Sequence, residues 1–344
     1  MKKILLTLST VALMASCNLN KVENVPAIDR ANFDESVALK DDFYQYATGG
    51  WQAKNPLKPE FARYGTFDVL RENNEIRLNE LFASIAKSKF EQGTVDQKIA
   101  DLYTMGLDST RLNKEGIAPV KADVEQIMAI SKRSHLATAT ALIHTSAGNP
   151  LFGLYVSADL LNSNVNVLYI DQSGLGMGNR DYYLDAENQS KREGYTQWLT
   201  KAFTMLGWDD ASSKAEKVLA LETKMAKAFR TNVQLRDVPA NYNPMTKAEF
   251  VKRYSAFDWD GYFSQMGIGE FDKVIVGQPE VLDVVFKLFA KEDIETIKAY
   301  MAASVVSSAA SYVGDELYAA YFDFFGRQMS GQQEMRPRWK RAMA

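Results

Sequence analysis

Cysteine is nearly absent from this chain. Cys17 stands alone in 344 residues, so no intramolecular disulfide framework can hold the fold. Histidine is almost as scarce: His135 and His144 are the two, and they do not form His-Glu-x-x-His, the arrangement that sets two metal ligands one helical turn apart with a carboxylate between them. Both fall in a stretch rich in alanine and threonine that reads as one helix, where surface or packed roles are expected of them. There is no basic excess either. A formal charge of −3 without a basic stripe makes nucleic acid a poor partner. The apolar run Ile4–Met14 is too short to span a bilayer. No internal repeat, low-complexity block or composition break marks a second compact domain, and 46% hydrophobic with 24% charged residues is an ordinary globular balance.

The first residues have a logic of their own. Lys2-Lys3, the apolar run and Leu13-Met14-Ala15-Ser16-Cys17 read as an export signal over residues 1–16 whose end resembles a bacterial lipobox. Cys17 would then become the lipid-modified N-terminus, and loss of two lysines would take the formal charge from −3 to −5. Residues 17–36 show no strong period and read as a tether. The expected location is the bacterial cell envelope, periplasm or cell surface, with the chain attached to a membrane through that lipid.

Beyond the tether, helical spacing dominates. Leu78, Leu81, Phe82 and Ile85 share a face, as do Val120, Val124, Ile127 and Met128, and Leu136–Ile143 continues the pattern. Thr94–Gln97 and Thr246–Glu249 have the form of capping boxes. Tyr195, Trp198, Leu199, Ala202, Phe203 and Leu206 make the clearest stripe, closed by Gly207 at a C-cap. Residues 294–313 read as a long helix. Runs at 151–156 and 165–170 around Asn162-Ser163-Asn164 read as a hairpin, and 273–276 as a short strand. The fold class is mainly α-helical with a minor β-hairpin.

Several side chains invite functional readings. Glu222 falls on the apolar stripe of its helix; a general base is conceivable, but a buried structural acid paired with an arginine such as Arg180 or Arg236 is the better expectation. Gly174-x-Gly-x-Gly178 lacks phosphate-loop spacing and reads as a tight turn. Arg71 has Glu75 one turn on, an ordinary helix ion pair, whereas Arg63 sits in a loop with no obvious local acid. Arg336, Arg338, Lys340 and Arg341 read as a solvated basic end.

One stretch has no simple period. Residues 41–71 carry Asp-Asp-Phe-Tyr, then Tyr-Ala-x-Gly-Gly-Trp, Asn-Pro and Arg-Tyr-Gly-x-Phe; Gly49-Gly50 is expected to end any helix there, with Pro56 and Pro59 keeping the next segment extended. This series resembles the opening signature of the neprilysin and endothelin-converting-enzyme family of zinc metallopeptidases. Gly174–Leu184 with its Arg-Asp-Tyr-Tyr-Leu, Arg236-Asp237, Tyr242–Met245, Ser330-Gly331 and Arg336–Arg341 continue the likeness in order. The resemblance implies that residues 37–344 are the family's multi-helix lid, which roofs a chamber over a zinc-bearing catalytic domain. The zinc site would lie in that catalytic domain, beyond this chain, so no cofactor is expected here and the chain alone would not catalyse. The implied partners are an oligopeptide substrate and the catalytic domain. Arg63 and Arg71 match family positions that reach into the cleft, Arg63 gripping a substrate's C-terminal carboxylate. A stand-alone peptide-binding lipoprotein, or one half of a split enzyme, is the alternative.

Overall fold

A computed structural model describes residues 27–343. The expected signal over residues 1–16, Cys17 and the first half of the expected tether lie outside the described residues. The chain divides into two compact units, 1–58 and 59–344, a division that falls inside the aromatic signature.

In the first unit a single 3-10 turn, Arg30–Asn32, precedes α1 (Phe43–Lys54), whose first turn is capped by the Asp42 carboxylate accepting from the Gln45 amide. Gly49-Gly50 does not end this helix but lies within it. The reason is steric. A Cβ on Gly50 would meet the carbonyl oxygens of Phe33 and Ala31 at 2.6 and 2.7 Å, so the glycines let the preceding segment lie directly against the helix. Lys54 donates to the Ala31 carbonyl at 2.8 Å, and Gln45 donates to the Asp34 carboxylate at 2.9 Å.

The second unit is helical around a small sheet. α2 (Thr66–Ile85) and α3 (Val95–Leu107) open it, joined by a bond from the Tyr103 hydroxyl to Asn79 at 2.7 Å. The expected Thr94 cap is present, its hydroxyl accepting from the Gln97 amide. α4 (Ala118–Met128) and α5 (His135–Ser146) follow with their apolar faces buried. β1 (Phe152–Asp159) and β2 (Asn162–Gln172) form the expected hairpin. It belongs, however, to a four-stranded mixed sheet of order β1-β2-β4-β3. β3 (Asn243–Thr246) runs antiparallel to β4 (Lys273–Val276), and β4 pairs parallel with β2 through Leu168–Val274 and its neighbours. Parallel pairing requires a long crossover, here the helices between β2 and β4, which is why local patterning showed the hairpin and the 273–276 strand but not that they share one sheet.

α6 (Gln189–Leu206) and α7 (Ala211–Ala228) supply that crossover's main layer; Gly207 ends α6 at φ +90°, as its spacing suggested. α8 (Trp259–Gln265) and α9 (Pro279–Lys291) bring Trp259, Tyr262 and Phe286 around Phe152 in an aromatic cluster. α10 (Ile294–Ala309) is buried on nearly every side and forms the central post. α11 (Asp315–Tyr321) and the single-turn α12 (Arg338–Arg341) close the chain.

Candidate functional site

The loop before α2 carries Arg63, and it is a built structure. Phe61 is buried and packs edge-on to Tyr64 at 5.2 Å between ring centres. Tyr64 donates its hydroxyl to Glu72 on α2. The Pro59 carbonyl accepts from the Gln333 and Glu334 amides at 2.8 and 3.1 Å, and the Glu60 carbonyl accepts from the Gln332 side chain at 3.0 Å. Between these anchors Arg63 is exposed and, among the described residues, makes neither hydrogen bond nor ion pair. Arg71 lies on α2 with its guanidinium 5.1 Å from the Phe61 ring centre. Its nearer partner is Asp68 at 3.0 Å; the sequence-suggested partner Glu75 stands at 3.9 Å and is more closely held by Arg336 at 2.5 Å.

That last pair corrects the reading of the basic end, which is not solvated. Lys340 is 8% exposed and its ammonium faces Glu60, with Glu72 at 3.5 Å and Glu75 at 4.0 Å. Arg338 and Arg341 converge on Asp315, and Arg341 also lies 4.0 Å above the Tyr318 ring. The acids lie far from these cations in sequence, so local composition could not pair them.

A second constellation surrounds Glu222. It is 1% exposed, as its place on the stripe suggested, but among the described residues no arginine pairs with it. Tyr183 and Tyr195 donate their hydroxyls to its two oxygens at 2.5 and 3.0 Å. Arg180 instead donates to the Ala226 carbonyl and stands 3.8 Å from Asp181, and Arg236 is exposed. Burial pushes the Glu222 carboxyl up to about 7 against the opposing pull of both tyrosines, and a group so easily kept neutral does not need a cation beside it. The Gly174–Gly178 turn, read as tight, serves this site. A Cβ on Gly176 would sit 1.9 Å from the Tyr195 hydroxyl oxygen, so only glycine lets the backbone approach the acid. Beside the carboxyl is a cavity of about 220 Å³ lined with Asn149, Ser173, Tyr300, Ser304 and Ser308. Tyr300 bridges it, accepting from the Leu151 amide and donating to the Gly174 carbonyl. The signal that could have revealed this arrangement was Tyr183 in Arg-Asp-Tyr-Tyr-Leu together with Tyr195 on the α6 stripe.

The histidines do not meet. His144 is packed, its Nδ1 2.6 Å from the Tyr262 hydroxyl and its Nε2 2.9 Å from the Pro150 carbonyl. Burial lowers its pKa to about 4, so its neutral form contributes stability above pH 6.5 that is lost as pH falls through about 4. Its ring resonances should stay at neutral-imidazole positions down to that pH; titration near 6.5 would contradict the packed geometry. His135 starts α5. Among the described residues no three His, Cys, Asp or Glu side chains are grouped to hold a metal ion.

The chain is similar to proteins already known. Endothelin-converting enzyme 1 of Rattus norvegicus is 29% identical over 326 residues, covering 90% of this chain but 42% of its own length. The Homo sapiens enzyme is 28% identical over 327 residues. The solved structure of the Mycobacterium tuberculosis zinc metalloprotease Zmp1 in complex with inhibitor superposes with a TM-score of 0.87 at 27% identity, covering 92% of this chain and 49% of that one. PepO from Lactobacillus rhamnosis shares the fold, with a TM-score of 0.71 at 22% identity. The chain thus spans less than half the length of the curated relatives it matches. The sequence profile described as Peptidase family M13 matches residues 39–344, and on that match the chain belongs to peptidase family M13, a family of zinc metallopeptidases.

Proposed function

We propose that this chain is the roof portion of a neprilysin-like zinc metalloendopeptidase of oligopeptides, not catalytic by itself, and that Arg63 and Arg71 face the substrate. The observation that carries this reading is the family match across nearly the whole chain combined with coverage of only 42% of the first relative's length. The exposed apolar side chains Phe67, Leu70, Val95 and Leu102 on α2 and α3 support it, since a zinc-bearing partner half would cover such a surface. The test is direct. The purified chain is expected to retain no stoichiometric zinc after dialysis and to cleave no peptide, and a zinc-bearing half added to it should restore chelator-sensitive cleavage. Zinc bound one to one by this chain, with peptidase activity, would refute the division of labour. A stable monomer that binds peptides without any second half would instead favour a stand-alone binding module.

The anchoring proposal rests on Cys17 and the signal before it. No described helix is long and apolar enough to cross a membrane. Wild type is expected to incorporate a fatty-acid analogue and partition into detergent, and Cys17→Ser to lose both; equal labelling of the variant would rule out lipidation at that residue.

A further inference from the structure

We infer that the cavity beside Glu222 is a binding site for a small primary ammonium ion, with the Glu222 carboxylate as its counter-ion and the surrounding hydroxyl oxygens as its acceptors. The hydrogen bonds around the cavity select that chemistry. Ser304 and Ser308 both donate to the Ala147 carbonyl, at 3.0 and 2.6 Å. Tyr300 donates to the Gly174 carbonyl at 2.7 Å, and Tyr195 to Glu222 itself at 3.0 Å. All four hydroxyls line the cavity with their protons already committed to the protein, so toward a ligand they offer lone pairs. Among the described residues no lysine, arginine or histidine lines the space. An anion would therefore meet no positive charge there. A cation carrying its own N–H donors meets acceptors and an acid that can ionise against it.

Size and access narrow the class. A volume of about 220 Å³ exceeds the roughly 150 Å³ that admits benzene in an apolar cavity, so the space suits an ammonium on a short carbon stem better than a bare metal ion. Pro150, Leu175 and Ala303 supply apolar lining for that stem. Asn149, Gly176 and Ser308 are the exposed residues of the lining, whereas Glu222 is buried. Glycine is needed at 174 as well as at 176: it holds φ +99°, and a Cβ there would collide with the Tyr300 hydroxyl. The titratable groups facing Glu222 are Tyr183 from the turn 181–184, Tyr195 from α6 and Tyr300 from α10. Burial raises the pKa of all three, so their hydroxyls stay neutral. Glu222, held at about 7, is the group among them that changes charge near neutral pH. It is roughly nine-tenths ionised at pH 8 and one-tenth at pH 6, while an alkylammonium stays charged at both. Affinity should follow the carboxylate and rise with pH.

Calorimetric titration of the purified chain with propylammonium chloride, at constant ionic strength, tests this. Binding at one site is expected, with a dissociation constant of about 1 mM at pH 8, about tenfold weaker at pH 6, and lost in Glu222→Gln. Tetramethylammonium has no N–H to donate and should not bind, nor should potassium. Equal binding of tetramethylammonium or potassium, affinity that does not change with pH, binding that survives in Glu222→Gln, or no saturable binding to wild type at pH 8 would each overturn the site. Should Glu222→Gln not fold, Ser308→Leu keeps the acid and sets a larger side chain at the exposed edge of the cavity, with Ser304 still donating to Ala147. It is expected to weaken binding at least about tenfold, and unchanged affinity would place the amine elsewhere. A free amine and a lysine side chain share this chemistry, and N-acetyl-lysine amide separates them. Tighter binding than propylammonium would assign the site to a lysine side chain, and weaker binding to a free amine.

Discussion

Arg63→Met in the assembled enzyme is expected to lower kcat/KM on free-acid peptides by roughly ten- to a hundredfold and to leave the matching amides almost unaffected. The estimate follows from a charge-assisted pair between guanidinium and carboxylate, about 1.5 to 3 kcal/mol, with tenfold for each 1.4 kcal/mol. Methionine keeps most of the side chain's apolar reach, so the loop should keep its shape, because the residues that anchor it are Pro59, Glu60, Phe61 and Tyr64. Arg71→Met should act more weakly, since Arg71 already spends its charge on Asp68 and its planar face on Phe61. The comparison to make is steady-state kinetics on acid and amide pairs of one peptide. Equal losses on both members would reduce Arg63 to a structural residue of the loop.

The second large effect concerns Glu222 and pH. Its carboxyl is raised from 4.5 to about 7, so between those values the folded chain holds a proton that the unfolded chain has released. The stability this group contributes is therefore full below pH 4.5 and lost as pH rises through about 7. Across that window the loss is roughly 3 kcal/mol, at 1.36 kcal/mol for each pH unit of displacement. Glu222→Gln keeps the volume and one acceptor for the tyrosine hydroxyls, and it cannot ionise. Urea unfolding of wild type and variant at a series of pH values should show the variant gaining on wild type by about 2 to 3 kcal/mol between pH 4.5 and 7.5. Parallel profiles would mean the acid is charged in the folded chain at neutral pH and finds compensation that its two tyrosines do not supply. The trend from His144 has the opposite sign and cancels in this comparison, because both proteins contain it.

The sequence by itself determined the elements that depend on near neighbours. The α6 stripe with Gly207, the Thr94 and Thr246 caps and the hairpin are set by periods of 3.6 and 2 and by hydrogen bonds spanning three or four residues. The ordered aromatic and glycine motifs also carried the family. Tertiary structure decided what depended on distant partners. Gly49-Gly50 reads locally as a helix stop, yet the helix continues because its missing side chains admit another backbone. Glu222 was legible as buried but not as tyrosine-bound, because burial follows from the stripe and the partners follow from a turn and a helix packed against it. The basic end looked solvated because charge runs usually are. The acids that meet Lys340 and Arg336 stand near the other end of the chain, Glu60 lying 280 residues before Lys340, and even Asp315 is 23 residues before Arg338; no local pattern can record pairs that only packing brings together.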